Sequence, residues 1–185
     1  MAPKGATREL NLDWITDLLA VGGSFPGEAI PRLAGELAIR AVVDARAEAR
    51  DDEALLRYCG IAFLHLPTDD HFALSNADLS AGIAFVSHYL DRGERVLVHC
   101  EHGIGRSALL ALCLLVTRGL TPLAAIELAK SRREKVSPSA AQFDGWARWL
   151  AQRRAATGAD WEVPSYEAFG CIAYRHLVNL DAAVP

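Results

Sequence analysis

The stretch that decides the fold is Val96-Leu97-Val98-His99-Cys100-Glu101-His102-Gly103-Ile104-Gly105-Arg106-Ser107. Its apolar start is typical of a buried strand. The glycine-bearing loop after the cysteine leads into an apolar helix that we expect to stop at Gly119. A strand, a tight turn and a helix N-terminus in this order present unpartnered backbone N–H groups at the positive end of the helix dipole. The stretch therefore predicts a loop that binds an anion.

The side chains of this loop add chemistry to the anion site. Gly103 and Gly105 allow the backbone angles that turn N–H groups inward, and the Arg106 guanidinium matches two oxygens of a phosphate. Cys100 lies at the bottom, where a positive environment favours its thiolate. The alternative is an inert buried cysteine at a strand end, but that does not account for the glycines and the arginine that follow. The pattern predicts a nucleophile beneath an oxyanion site.

The motif HCEHGIGRS, residues 99–107, resembles the signature of the cysteine-dependent protein tyrosine phosphatase superfamily. The length of the chain and a W-x-x-x-x-L-x-x-G-G segment from Trp14 to Gly23 are similar to the dual-specificity branch. The resemblance covers roughly residues 11–151. It implies a phosphatase that forms a phosphocysteine intermediate and needs no metal or cofactor.

The resemblance also implies the role of each site residue. A loop before the signature strand carries the general acid in this superfamily, and Pro67-Thr68-Asp69-Asp70 places Asp70 at that position, with Asp69 as its competitor. The other reading of this segment is a solvated loop with two acidic turn residues. The implied catalytic residues are Cys100 as nucleophile, Arg106 as phosphate fork, Asp70 as acid, Ser107 as hydrogen-bond donor to the sulfur, and His99 as a brace for the loop carbonyls. The implied phosphate-binding residues are Glu101, His102, Gly103, Ile104, Gly105 and Arg106.

Alternating apolar runs and amphipathic segments predict an α/β fold, with a central mostly parallel sheet of four to five strands flanked by helices. The predicted strands span residues 18–23, 39–44, 61–66 and 96–99. The predicted helices span residues 26–37, 51–58, 75–91, 106–118 and 121–130, with one more from 137–138 onward and a last one over 164–180. We expect a flexible N-terminus (residues 1–10), a catalytic domain (11–155) and a C-terminal helical extension (156–185). The extension could pack on the domain, cover the edge of the site or mediate dimerisation.

Composition limits the remaining classes. The chain has 185 residues, of which 51% are hydrophobic and 23% charged, which suits one globular domain. A net charge of −4 argues against a nucleic-acid partner, and four cysteines without CxxC spacing argue against a zinc site or a disulfide framework. The longest apolar run, residues 108–116, is too short to span a bilayer, and the N-terminus carries no apolar signal core. We expect a cytoplasmic protein, and the oligomeric state stays open.

Substrate class depends on the side chains around the phosphate mouth. These are Glu101, His102 and Ile104, none of them a lysine, and Glu101 should repel a highly anionic substrate. A phosphoprotein or a small phosphate ester is therefore the predicted substrate, in a shallow cleft that accepts phosphotyrosine, phosphoserine and phosphothreonine. The alternatives are a phosphoinositide or sugar phosphatase, a rhodanese-type sulfurtransferase, or a phosphate-binding module without activity. Two further candidates are Gln142, for positioning the hydrolytic water, and Arg132 or Arg133, for the rim of the cleft.

Overall fold

The computed structural model describes residues 10–177, which contain a five-stranded sheet in the order β1-β2-β5-β3-β4. The strands are β1 (Leu12–Trp14), β2 (Leu19–Gly22), β3 (Ile39–Arg46), β4 (Ala62–Thr68) and β5 (Arg95–His99). Strand β1 pairs antiparallel with β2, and every other pairing is parallel. This confirms the predicted mostly parallel α/β architecture.

Helices cover both faces of the sheet because its central strands are apolar on both sides. Val96 and Val98 of β5 join one buried cluster, and Leu97 between them joins the other. The second cluster is the smaller of the two. The helices are α1 (Ile30–Gly35), α2 (Glu53–Tyr58), α3 (Asn76–Leu90), α4 (Arg106–Thr117), α5 (Pro122–Arg132), α6 (Ala140–Thr157) and α7 (Tyr166–Ala173). Helix α4 is buried over nearly its whole length, so the central strand and the helix after it form the middle of the domain.

Several predicted boundaries differ from the structure for local reasons. Helix α1 is shorter than predicted and begins one residue before Pro31, since a proline has no N–H to donate and suits the first turn. Strand β4 continues through Pro67 to Thr68, which is tolerated because β4 is an edge strand. Helix α6 begins at Ala140 rather than at residues 137–138, because Ser139 caps it.

The C-terminal extension packs on the domain over the part that the structure describes. Phe169 of α7 is fully buried among the aromatic rings of Phe143 and Trp146 from α6. Helix α7 ends at Ala173, and residues 175–177 are again helical. The rest of the predicted helix, to residue 180, and most of the predicted flexible N-terminus lie outside the described residues. Among the helices within residues 10–177, none is long and apolar enough to cross a membrane.

Candidate active site

Strand β5 ends at His99 and helix α4 begins at Arg106, and we call residues 100–105 between them the phosphate loop. The loop needs glycine at two places. Gly103 has a φ of +70° and lies directly against the backbone of Gly22, so a side chain there would meet both strain and a clash. A side chain at Gly105 would collide with the amide of Gln142. Gly103 thus lets the chain turn tightly between the central strand and its helix, and Gly105 leaves room for the Gln142 side chain.

Cys100 lies at the base of the phosphate loop and is only 3% exposed. Its Sγ lies 3.3 Å from the Ser107 Oγ and accepts a hydrogen bond of 3.3 Å from the N–H of Gly103. Burial alone would raise the pKa of this thiol. Hydrogen bonds from the side chain and backbone of Ser107 and from Gly103, together with the charge of Arg106, outweigh burial and lower the pKa below its ordinary value. The site therefore favours the thiolate, the nucleophilic form of cysteine.

The guanidinium of Arg106 is 1% exposed and bound on several sides. Its Nη1 and Nη2 each donate 2.7 Å bonds to the carboxylate of Glu48, and Nη1 also donates to the Thr68 carbonyl at 2.8 Å. The hydrogen bonds from Arg106 lower the pKa of Glu48 to about 2, so this partner stays ionised. The Nε of Arg106 has no hydrogen-bond partner. Within residues 10–177, the indole nitrogen of Trp146 is the only other buried side-chain nitrogen or oxygen without one. A buried, unpartnered cationic donor is what an oxyanion would satisfy.

The structure distinguishes the two candidate acids by geometry. The Oδ1 of Asp70 lies 3.2 Å from Nη2 of Arg106, and its side chain is half exposed, so it borders both the phosphate loop and solvent. Within residues 10–177, the carboxylate of Asp69 makes no such contact with Arg106, and the backbone carbonyl of Asp69 accepts the N–H of Phe72 in a tight turn. Asp70 therefore faces the Arg106 guanidinium, and its role as the acid stays a prediction.

His99 and a group of charged side chains lie beneath the phosphate loop. The His99 ring is fully buried, with Nε2 2.7 Å from Asp51 and Nδ1 3.3 Å from the Cys100 carbonyl. Arg46 binds both oxygens of Asp44 at 2.9 Å and one oxygen of Asp51 at 2.7 Å. The ligand atoms of Asp44, Asp51 and His99 are close enough together to hold a metal ion, but Arg46 already supplies the positive charge at this cluster.

Glu101, which was expected to repel anionic substrates, is paired in the structure. One of its carboxylate oxygens accepts from the Ser24 hydroxyl at 3.1 Å, and the other lies 3.3 Å from Arg46. Part of its charge is thereby compensated, so the repulsion is weaker than the sequence suggests. The neighbouring His102 side chain is exposed.

Arg133 holds the phosphate loop from its outer side and does not line the rim. Its buried guanidinium donates to the carbonyls of Gly103 at 2.7 Å and His102 at 3.0 Å, and it also binds Asp13. The Ile104 carbonyl accepts a 3.1 Å bond from the backbone N–H of Ser137. Three consecutive loop carbonyls are thus bonded away from the sulfur. The other rim candidate, Arg132, is exposed on α5.

Gln142 lies against Gly105, but both polar atoms of its amide are in use. Its Oε1 accepts the backbone N–H of Ser139 at 2.8 Å, and its Nε2 donates to the Phe72 carbonyl at 3.2 Å. The observed role of Gln142 is to link α6 with residues 69–75, which we call the acid loop after the predicted role of Asp70. A role in positioning water stays a prediction.

Sequence reasoning missed Glu48, Asp44, Arg46 and Asp51. All four lie in or just after β3, and no motif marks them in the sequence. They reach the site because β3 is the direct neighbour of β5 in the sheet. Their position could have indicated a role in the site. They lie at or after the carboxyl end of β3, and ligands bind at the carboxyl ends of parallel strands.

Comparison with known families decides the classification. The family model described as "Dual specificity phosphatase, catalytic domain" matches residues 23–151, which is more than half of the chain. The chain belongs to the dual specificity phosphatase family. The matched range of this phosphatase contains every predicted site residue, from Asp70 to Ser107.

Individual relatives of the phosphatase match over shorter stretches. It is 38% identical to "Dual specificity protein phosphatase 1" of Mus musculus over 72 residues, which is 38% of this chain and 20% of that protein. It is 35% identical to "Phosphatidylglycerophosphate phosphatase PTPMT1" of Arabidopsis thaliana over 88 residues, 46% of this chain and 26% of that protein. The matches thus span about a fifth to a quarter of each relative.

Solved structures show the same fold. A crystal structure of PTPMT1 superposes with a TM-score of 0.72 at 21% identity, covering 80% of this phosphatase and 98% of that chain. Human DUSP28 superposes with a TM-score of 0.68 at 21% identity, covering 81% and 99% of the two chains. At such identity the likeness concerns the fold alone.

Proposed function

We propose that this dual specificity phosphatase hydrolyses phosphate monoesters through a phosphocysteine intermediate. The proposal rests on the surroundings of Cys100. Its sulfur is bonded by Ser107 and Gly103 in a loop that ends at a buried arginine with an unpartnered Nε. A stabilised thiolate next to an unsatisfied cationic donor is suited to attack a bound phosphoryl group.

The first step transfers the phosphoryl group to sulfur. The Cys100 thiolate attacks phosphorus, an S–P bond forms, and the bond from phosphorus to the ester oxygen breaks. Asp70 gives its proton to that departing oxygen, so the alcohol leaves neutral. The 3.2 Å contact between Asp70 and Arg106, whose side chain would bind the phosphoryl oxygens, supports this role.

The second step releases phosphate. Water attacks phosphorus, the ionised Asp70 takes a proton from it, and the S–P bond breaks to return the thiolate. Ser107 supports this step because its hydroxyl lies within hydrogen-bond distance of the departing sulfur. The backbone N–H groups of residues 101–106, apart from that of Gly103, which bonds the sulfur, bind the equatorial oxygens throughout together with the Arg106 guanidinium. In this scheme His99 acts indirectly, through its contact with the Cys100 carbonyl.

We propose phosphoproteins as the substrates, with phosphate on tyrosine, serine or threonine. The charge balance around the loop supports a substrate with a single phosphate. Arg106 is already paired with Glu48 and Asp70, and Arg46 with Asp44 and Asp51. A second phosphate group would meet no uncompensated positive charge from these two arginines. The similarity to dual specificity protein phosphatase 1 agrees with this choice.

A lipid phosphate monoester is the second candidate substrate. Its support is the sequence similarity to a phosphatidylglycerophosphate phosphatase of Arabidopsis thaliana, together with a fold shared with PTPMT1, one structure of which is described as a complex with PI(5)P. The pairing of Glu101 with Arg46 also reduces one obstacle to an anionic headgroup.

One experiment tests both the chemistry and the substrate class. Purified wild type, Cys100→Ser, Asp70→Asn and Asp69→Asn are assayed for p-nitrophenyl phosphate hydrolysis and then for phosphate release from three substrate classes. These are phosphopeptides, vesicles containing phosphatidylglycerophosphate, and vesicles containing a phosphoinositide. We expect activity that requires Cys100 and is highest on phosphopeptides. Much faster release from either lipid would replace the protein substrate by the lipid, and full activity of Cys100→Ser would overturn the mechanism.

A further inference from the structure

The acid loop, residues 69–75, is held by an element far along the chain, the N-terminus of α6. The Ser139 hydroxyl donates a 2.7 Å hydrogen bond to the carbonyl of His71. Gln142 donates from Nε2 to the carbonyl of Phe72 at 3.2 Å. One turn further on, Gly145 lies so close to Ala73 that any side chain at position 145 would collide with it. Three successive residues of the acid loop thus rest on one helix.

Ser139 and Gln142 each use their donor and acceptor groups for different purposes. They form the capping box of α6, in which the Ser139 hydroxyl accepts the backbone N–H of Gln142 and the side-chain Oε1 of Gln142 accepts the backbone N–H of Ser139. A hydroxyl and an amide both donate as well as accept. The acceptors of the two side chains serve the helix, and their donors serve the acid loop.

Apart from these contacts, the N–H of His71 donates to Oδ1 of Asp70 at 3.0 Å, and the acid loop is anchored at its C-terminal end, where Leu74 is buried in the core and Ser75 caps α3. It makes one tight turn, from the Asp69 carbonyl to the N–H of Phe72, and His71 has a φ of +66°, which is rare for a residue with a side chain. The side chains of Asp69, Asp70, His71 and Phe72 are exposed. This conformation nevertheless places Asp70 3.2 Å from Arg106. The contacts with α6 are therefore well placed to stabilise it.

The same segment also bonds the phosphate loop. The N–H of Ser137 donates to the Ile104 carbonyl, and the Gln142 side chain packs against Gly105. The acid loop and the phosphate loop are thus both attached to residues 137–145. This segment, together with the contacts of Arg106 to Thr68 and Asp70, relates the acid loop to the nucleophile.

We propose that Ser139 and Gln142 are positioning residues for the general acid, which hold the acid loop where Asp70 can protonate the leaving oxygen. The inference rests on the proposed phosphatase function and adds to it a specific dependence on the leaving group. An enzyme whose acid is misplaced loses rate mainly with poor leaving groups, since good ones depart without a proton. A general loss of stability would not produce that selectivity.

The test separates the two roles of Ser139, which are its hydrogen bond to the acid loop and its capping of α6. Ser139→Asp keeps a capping acceptor but has no donor for the His71 carbonyl, and Ser139→Gly removes the hydroxyl without adding charge. Ser139→Thr restores the donor. Ser165→Asp is the matched control, because Ser165 caps α7 in the same way and α7 lies outside the acid loop's contacts. The readout is kcat/KM for phenyl phosphate divided by kcat/KM for 2,4-dinitrophenyl phosphate, because kcat/KM reports the step in which the leaving group departs and not the later hydrolysis of the phosphoenzyme.

We expect Ser139→Asp and Ser139→Gly to lower this ratio by about 10-fold, a part of the roughly 10²- to 10⁴-fold that a general acid supplies. Ser139→Thr and Ser165→Asp should retain the wild-type ratio. Two further variants extend the test along the helix. Gln142→Glu keeps the capping box but loses the donor to Phe72, and Gly145→Ala suits a helix but pushes against Ala73. Both should lower the ratio in the same direction.

Asp70→Asn in the same assay distinguishes failure of the positioning role from failure of the phosphatase mechanism. If Asp70→Asn lowers the ratio while Ser139→Asp, Ser139→Gly and Gly145→Ala do not, the positioning role is wrong and the phosphatase mechanism stands. An equal loss with both substrates in the Ser139 variants would also overturn the positioning role. If Asp70→Asn leaves the ratio unchanged, the acid assignment fails, and the positioning role fails with it.

Discussion

The phosphate loop and the acid loop lie side by side, but they are held in opposite ways. The phosphate loop joins the central strand directly to a buried helix, and Arg133 and Ser137 bond its outer carbonyls. The acid loop follows an edge strand, is largely exposed, and depends on contacts with α6. The nucleophile is thus fixed by dense local structure, and the acid by a few long-range bonds. Substitutions in the two loops should therefore have different consequences.

The largest effect is expected at the nucleophile. Cys100→Ser should reduce kcat on the order of 10⁶-fold, as for other enzymes that lose the attacking group. Its fold should persist, because serine is of similar size and the loop carbonyls remain bonded. Cys171→Ser, a change at an exposed cysteine, serves as the control and should keep wild-type kcat and Tm. Appreciable activity of Cys100→Ser would contradict the assignment of Cys100 as the nucleophile. The contrast between a loop that holds the nucleophile and a loop that holds the acid would then be wrong.

Arg106→Lys tests the cation of the phosphate loop. A lysine ammonium lacks the planar fork, so it cannot bind Glu48 with two bonds while offering a further donor to phosphate. We expect kcat/KM to fall about 10³-fold, in the range of one lost oxyanion-hole donor. Arg132→Lys is the matched control, since Arg132 is exposed on α5. Steady-state kinetics with p-nitrophenyl phosphate measure both, and equal rates for the two variants would contradict the role of Arg106.

Asp70→Asn tests the acid loop, which is the less firmly held of the two loops. Loss of the acid should lower kcat/KM for phenyl phosphate by roughly 10²-fold, with a much smaller loss of kcat/KM for dinitrophenyl phosphate. Asp69→Asn, the neighbouring carboxylate, should behave like wild type. If the losses appear in Asp69→Asn instead, the acid is Asp69 and the 3.2 Å contact of Asp70 with Arg106 has another purpose.

The smallest change is expected for Ser107→Ala, and it should appear as a shift along the pH axis. The hydrogen bonds from Ser107 help to lower the pKa of Cys100 against the opposing effect of burial, so removing the hydroxyl should raise that pKa. Because the thiolate is lost as pH falls through this pKa, the acid limb of kcat/KM should move to higher pH in Ser107→Ala. The loss should be greatest at low pH and recover as pH rises.

The matched control is Ser137→Ala, whose hydroxyl bonds the Lys135 carbonyl and not the sulfur. Iodoacetamide alkylation of Cys100 across pH follows the thiolate directly. An unchanged alkylation profile in Ser107→Ala would show that the hydroxyl does not tune the thiol.

The phosphate loop could be predicted from sequence because its parts are contiguous. Cys100, Gly103 and Arg106 lie within one turn between a strand and a helix, so spacing alone places them together. The predicted parallel sheet followed from the same local patterns. Strand β1 was missed because three residues are too few to show a pattern.

The supporting contacts could not be predicted, because they depend on which strands are neighbours. Glu48 is 58 positions from Arg106, and Ser139 is 68 positions from His71. Nothing in the local sequence of either residue indicates its partner. The start of α6 was placed too early for a related reason: Ser137-Pro138 is a plausible helix start, but the reciprocal bonds of Ser139 and Gln142 determine the boundary.

The most direct test of the central claim is to trap the phosphoenzyme. Enzyme mixed with radiolabelled phosphopeptide is quenched within one turnover, cleaved after arginine and lysine, and mapped by mass spectrometry. Cleavage after Arg95 and Arg106 yields a peptide of residues 96–106, which carries Cys100 together with His99 and His102. We expect phosphate on the Cys100 sulfur within that peptide. Phosphate on either histidine, or rapid hydrolysis without any phosphoenzyme, would contradict it.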